Sequence, residues 1–124
     1  MSTKVLWTGR VLSGLIGVFM LIIGITTIFV RSNETVQGFA QFGYSADLIP
    51  YVGGAALLGA VLYVIPRTCI LGAIMLTGYL GGAVATHTRL HDPLLFGPMV
   101  LGILLWLGVY LRDPRLRALI PFRT

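Results

Sequence analysis

Four long stretches without a charged residue dominate the sequence, and short polar segments separate them. Each stretch reaches the roughly 20 residues that a helix needs to cross a bilayer. The stretches are apolar on every face, whereas the strands of a membrane barrel would alternate apolar and polar residues. The pattern therefore predicts an all-α membrane protein, a bundle of four transmembrane helices with spans at about 5–30, 47–65, 68–88 and 93–111.

A more polar segment separates the first two predicted spans. In it Val36, Phe39 and Phe42 recur at every third position, while Gln37 and Gln41 fall on other faces of a helix. A short amphipathic helix of this kind lies in the interface of a membrane. The segment is therefore predicted to be an interfacial helix between helices 1 and 2, and the alternative is a lid over the mouth of the bundle.

Small residues recur at helical spacing in the predicted spans. Gly78 and Gly82 form a G-x-x-x-G pair in the third span, and in lipid such pairs let two helix backbones come close. Gly14 and Gly17 share a face of the first span that should pack inward. The full set of expected helix-packing positions is Gly14, Gly17, Gly53, Ala56, Gly78 and Gly82. This pattern favours assembly into a homo-oligomer or with a membrane partner protein.

Composition and charge place a single domain, residues 1–124, in the lipid bilayer. Only 10% of the residues are charged and mean hydropathy is +0.91, whereas a soluble domain carries about a quarter of charged residues. The net charge of +5 could suggest nucleic acid, but seven of nine basic residues fall on the side that holds both termini. The positive-inside rule then predicts cytoplasmic termini and no nucleic-acid partner, with the basic tail on anionic lipid head groups.

Reactive groups are scarce. Cys69 is the single cysteine, so no C-x-x-C redox pair is available. The stretches 11–30, 48–65, 68–88 and 93–111 contain no acidic or basic residue, whereas ion and proton pathways usually carry one inside a span. His87, His91 and Asp92 could offer metal ligands, but the third helix is expected to end near His87, which spoils the geometry of an H-x-x-x-H site. The sequence predicts no catalytic residue, no metal and no cofactor.

An apolar ligand, such as a quinone or a lipid, is compatible with these residues. Phe39 and Phe42 could cap a cavity at the outer mouth of the bundle, with His87 as the nearest polar group. Tyr63, in the second span, completes the set of candidate ligand-binding residues.

Most of the chain from Gly38 onward resembles the DoxX-like family of small four-helix membrane proteins. The resemblance rests on the stretches GFAQFGYSADLIPYVGGAALLGAVLYVIPRT, LGAIMLTGYLGGAVATHTRLHDPL and LLWLGVYLRDPRLRALIP. It implies a four-helix bundle in the bacterial inner membrane. The family name comes from a subunit associated with quinol or thiosulfate oxidation, which adds an accessory subunit of a membrane oxidoreductase as an alternative function.

The chain departs from the family pattern at three positions. Relatives often carry an Asp and, four residues later, a Lys in the first helix and a Glu in the second, whereas this chain has Ile23, Thr27 and Ala56 there. The difference implies that the polar centre of the bundle is missing, which argues against proton, redox and polar-ligand functions. The sequence therefore favours a non-catalytic assembly subunit, with a binder of an apolar ligand as the alternative.

Overall fold

The computed structural model describes residues 3–29, 33–120 and 122. All regular secondary structure in these ranges is helical. The helices are α1 (Thr3–Phe29), α2 (Asn33–Gln41), α3 (Ile49–Val64), α4 (Cys69–Arg89), α5 (Phe96–Arg112) and the short α6 (Pro114–Arg117). Turns of 3₁₀ helix precede α3, α4 and α5. The stretches Thr3–Phe29, Ala46–Val64, Pro66–Arg89 and Pro93–Arg112 are long and apolar enough to cross a membrane. The predicted fold class is confirmed, including the short helix between the first two spans.

The span boundaries follow local signals in the sequence. Pro66 and Pro93 each open a 3₁₀ turn, where a proline fits because the first N–H groups of a helix have no helical partner. The Asp92 carboxylate accepts a hydrogen bond of 2.9 Å from the backbone N–H of Leu94. α1 starts at Thr3, slightly before the predicted start, and its predicted last position, 30, lies outside the described residues.

The four long helices form an antiparallel ring in which α1 contacts α3 and α5, and α4 closes the ring against the other two. A Cβ at Gly17 would meet the Val64 side chain, and one at Gly24 would lie 2.7 Å from the Cα of Leu57. Later residues of α1 therefore contact earlier residues of α3, so the two helices are antiparallel. The first turns of α1 lie beside the end of α5, so the start of α1 and the end of α5 share one side of the bundle.

The core is densest in the half of the bundle that contains both ends of the chain. Tyr63 is 1% exposed, and its hydroxyl donates a 2.6 Å hydrogen bond to the Leu105 carbonyl of α5. Met20, Leu76 and Leu105 are fully buried there as well. At this end Arg112 donates a hydrogen bond to the Cys69 sulfur, which joins the end of α5 to the start of α4.

The small residues divide into two groups. Gly17, Gly53 and Ala56 are buried, and a Cβ at Gly53 would lie 3.0 Å from the Thr27 side chain across the α1–α3 contact. In contrast, no atom lies within 4 Å of the Cβ position at Gly14, Gly78 or Gly82.

Gly78 and Gly82 of α4 do not pack against another described helix of the chain because α4 packs through its other side. Its buried residues Leu76 and Leu80 stand two positions away from Gly78 and Gly82, which on a helix is almost the opposite face. Gly14 likewise lies outside the stripe of Gly17 and Gly24 and is exposed. Inward packing of Gly14 is therefore not found within the chain, and packing of these three glycines between chains stays a prediction.

Candidate functional site

A cavity of about 600 Å³ lies between the end of α2, the first half of α3 and the second half of α4. Its lining is mainly aromatic or small, with few polar atoms. The lining residues are Gly38, Phe39, Phe42, Tyr44, Tyr51, Val52, Ala55, Gly78, Tyr79, Gly82, Ala83, Thr86 and His87. We call it the aromatic cavity.

The roof of the aromatic cavity is the segment that follows α2. Backbone hydrogen bonds of 3.0 Å from Gly43 N–H to the Ala40 carbonyl and 2.9 Å from Tyr44 N–H to the Phe39 carbonyl reverse the chain. Gly43 has a φ of 87°, which glycine adopts without the steric cost of a side chain. The reversal brings the rings of Phe39 and Tyr44 to a centroid distance of 6.0 Å, edge to face.

Contacts with the end of α4 hold this roof on the bundle. The Phe42 and His87 rings lie 4.7 Å apart between centroids, and the Tyr44 and Thr86 hydroxyl oxygens are 3.2 Å apart. The Arg89 guanidinium donates a hydrogen bond to the Phe42 carbonyl. Phe42 and Tyr44, just after α2, therefore contact the end of α4 over the mouth of the bundle. This position agrees better with the lid alternative than with a helix that lies only in the membrane interface.

The two walls come from α3 and α4. Tyr51, Val52 and Ala55 contribute one wall. In the other wall Gly78 and Gly82 add no side chain and leave space beside Tyr79 and Ala83. The G-x-x-x-G pair thus contributes volume to the cavity within the chain. Because Ala55, Gly78 and Gly82 are exposed, the cavity is open along the side between the two helices.

His87 has a fixed orientation at the rim. Its Nδ1 lies 2.7 Å from the Ala83 carbonyl oxygen one turn earlier in α4. Since a carbonyl oxygen only accepts, this contact requires the proton on Nδ1. The neutral ring then presents Nε2 as an acceptor.

The structure brings together three of the residues predicted to bind a ligand and separates the fourth. Phe39, Phe42 and His87 line the same cavity. Tyr63 does not line it, because its ring is buried in the core near the opposite end and its hydroxyl is bound to Leu105. A single cavity containing all four residues is thus not found.

Several lining residues were missed from the sequence, above all Tyr44, Tyr51, Tyr79 and Thr86. Tyr51 carried a weak signal, since a tyrosine near the end of a span is typical of the interfacial aromatic belt. Tyr79 and Thr86 stand beside Gly78 and Gly82 on the helical repeat of α4, but that repeat was interpreted only as a packing stripe.

The histidines do not share a face of α4. The helix ends at Arg89, and His91 follows in the left-handed backbone region with a φ of 56°. Within the described residues, no group of three or more His, Cys, Asp or Glu side chains is arranged to hold a metal ion.

A family comparison agrees with this architecture. A model described as the DoxX-like family matches residues 11–109, which reach into each of the four long helices. The chain belongs to the DoxX-like family. Neither a curated protein nor a solved structure matches it. The resemblance drawn from the three sequence stretches is therefore confirmed.

Ile23, Thr27 and Ala56, the three positions at which the chain is expected to depart from the family pattern, belong to the half of the α1–α3 contact near the end of α1. Thr27 packs against Gly53 across the α1–α3 contact and donates a 2.6 Å hydrogen bond to the Ile23 carbonyl. Ala56 is fully buried one turn further along α3. The Thr27 hydroxyl is satisfied within its own helix, so this part of the bundle is apolar and closed.

Proposed function

We propose that this DoxX-like protein binds an apolar ligand, such as a quinone or the tail of a lipid, in the aromatic cavity. The observation that supports the proposal is a cavity of about 600 Å³ with aromatic rings in its roof and walls. Ligand sites in proteins are typically mainly apolar, occupy about 300–1,000 Å³ and carry a few polar groups that orient the ligand. The proposed role is binding, without catalysis.

The lining supplies the chemistry for such a ligand. Phe42 and Tyr79 offer ring faces and edges for an apolar body, and burial of that body is the main favourable term. None of the described residues that line the cavity is Asp, Glu, Lys or Arg, so the part of the ligand inside it should be uncharged. His87, with its Nε2 acceptor, is the polar group best placed to orient a ligand hydroxyl.

A second candidate function is assembly through the uncovered glycines. At Gly14, Gly78 and Gly82 no other described part of the chain lies within 4 Å of the position of a Cβ, and a helix of a second copy or of a partner protein could approach closely there. In this proposal the same wall of α4 is covered by protein instead of ligand.

The proposal includes a bacterial inner membrane with both termini in the cytoplasm. Its support is the unequal charge of the two ends. Lys4, Arg10, Arg67, Arg112, Arg115 and Arg117 belong to the end that holds both termini, and Arg89 is the cation of the other end among the described side chains. An excess of Lys and Arg marks the cytoplasmic side.

Substitution of Gly82 by Leu tests both functions. The new side chain would stand in the aromatic cavity, whereas Gly81→Leu, at the adjacent glycine, would stand in the separate cleft between α4 and α5. We expect Gly82→Leu to reduce the retained ligand about tenfold, equivalent to about 1.4 kcal/mol, and Gly81→Leu to retain it. The measurement is intact mass spectrometry of the protein released from membrane-like particles.

The same spectra report the oligomeric state. Ligand lost from a Gly82→Leu protein of unchanged stoichiometry supports binding in the cavity. Dissociation of an oligomer that carries no ligand supports assembly through the glycine face. A ligand retained equally by the unmodified protein and both variants contradicts the proposed site.

A further inference from the structure

A second, smaller recess of about 330 Å³ adjoins the roof of the aromatic cavity. The two share Phe42, Tyr44 and Thr86 in their walls, and the recess adds Gly43, Ala85 and Arg89. The apolar lining of the aromatic cavity therefore continues directly into the more polar lining of the recess. Arg89 lines the recess and lies outside the aromatic cavity.

The charge of Arg89 has no acidic partner in the described part of the chain. The ion pair found there joins Arg115 to Asp113 near the end of α5, and Asp92 is engaged with the backbone of Leu94. Arg89 donates to the Phe42 carbonyl, which leaves other N–H groups of its guanidinium available because arginine carries several donors. It is exposed, so an anion can reach it.

We propose that the ligand of the aromatic cavity is an amphiphile whose oxyanion head group, a carboxylate or a phosphate, binds Arg89 while its apolar chain fills the cavity. This inference rests on the proposed ligand-binding function and narrows its ligand class. A guanidinium matches the two oxygen atoms of either head group, and such charge-assisted pairs are stronger than neutral hydrogen bonds. An uncharged quinone would fill the cavity without using Arg89.

The geometry of the roof allows both parts to bind at once. Arg89 is already held over Gly43 and the Phe42 carbonyl, so its guanidinium is fixed beside the aromatic cavity before any ligand arrives. A preorganised donor loses less conformational freedom on binding. Nearby, the Tyr44 and Thr86 hydroxyls and the Nε2 of His87 are further polar groups along the path from head group to chain.

A matched pair of ligands tests the proposal, namely a long-chain fatty acid and its methyl ester. The two share the apolar chain and differ in charge at a mildly alkaline pH that keeps the carboxylate ionised. We expect the protein in membrane-like particles to bind the acid about tenfold more tightly than the ester, as measured by competition in intact mass spectrometry. Arg89→Gln should remove that preference and leave ester binding in place, since Arg89 is not among the residues that line the aromatic cavity.

Two further variants control for folding and for general electrostatics. Arg89→Lys keeps the charge and should restore much of the preference. Arg67→Gln removes an exposed charge from the opposite end of the bundle and should leave the preference unchanged.

The outcomes separate this inference from the function on which it rests. Equal binding of acid and ester, or an unchanged preference in Arg89→Gln, overturns the anionic head group while ester binding still supports an apolar site. Complete displacement of the acid by inorganic phosphate would mean that a free anion is recognised, and it also overturns the amphiphile. Binding of neither chain overturns this inference and also excludes a lipid tail as the ligand of the proposed function.

Discussion

The closest backbone approach at any described glycine occurs at Gly72, where α4 leaves its hairpin with α3. A Cβ there would clash with the backbone nitrogen of Tyr63 and lie 2.6 Å from its Cα. No flexible side chain stands at that point to move aside, so the two backbones would have to separate. Gly72 thus fixes the depth at which α3 and α4 meet.

Gly72→Ala should therefore destabilise the bundle by about 1–3 kcal/mol, the usual cost of overfilling a packed site. Gly78→Ala is the matched control, since it adds the same methyl group to the same helix where no atom lies within 4 Å. Thermal unfolding in detergent should show a lower midpoint for Gly72→Ala alone. Equal midpoints for the two variants would contradict the assigned contact.

Tyr63 shows what the sequence leaves open for a single residue. A tyrosine near the end of an apolar span is typical of an interfacial anchor, of a ligand contact and of a core residue with a satisfied hydroxyl. The structure places it in the last category, because the Leu105 carbonyl of α5 accepts its hydrogen bond. That partner lies far along the chain, so no local pattern identifies it.

Among the elements, the roof depends on a single backbone reversal at Gly43. An alanine there would occupy a φ of 87° and approach the Arg89 guanidinium, with 3.2 Å from its Cβ to the nearest nitrogen. Both effects disfavour the conformation that sets Phe42 over the cavity. The roof therefore depends on a left-handed glycine turn and on the hydrogen bond from Arg89 to the Phe42 carbonyl.

Gly43→Ala should loosen the roof at a cost of about 1 kcal/mol. Hydrogen exchange of the backbone amides at positions 39–44 should become faster, while exchange within α3 and α4 stays the same. Gly38→Ala is the control within α2, where the added methyl group meets nothing within 4 Å and should strengthen the helix. If the amides at positions 39–44 exchange more slowly in Gly43→Ala than in Gly38→Ala, the turn does not require glycine at position 43.

The elements themselves could be predicted because the length of an apolar run and the position of a proline are local properties. The cavity could not, because it depends on which face of α4 packs inward. A glycine stripe marks a face without side chains, but it does not say whether a helix, a ligand or nothing covers it. Gly78 and Gly82 illustrate this, since the packing of α4 through Leu76 and Leu80 leaves them uncovered.

For the whole molecule, the antiparallel ring separates the charges of the chain into two unlike ends. Gly9 of α1 and Arg112 of α5 are adjacent, since a Cβ at Gly9 would lie 2.9 Å from the backbone nitrogen of Arg112. Arg112 also contacts Cys69 at the start of α4. The basic residues of α1, α5, α6 and the turn before α4 therefore gather at one end of the bundle, where anionic lipids would attract them.

This arrangement predicts the sidedness of labelling in cells. Ala46→Cys, in an exposed turn before α3, should react with an impermeant thiol reagent outside intact cells. Leu119→Cys, exposed after α6, should react only after the cells are opened. The unmodified protein is the blank, because its Cys69 is buried. The reverse pattern would place the termini outside.

The open side of the aromatic cavity also determines how its occupancy should be measured. A ligand that enters between α3 and α4 arrives from the bilayer, so its relevant concentration is its mole fraction among the surrounding lipids. Adding detergent lowers this mole fraction even when the volume of the sample is unchanged. A protein purified in excess detergent would then lose its ligand by mass action and also lose the stability that binding confers.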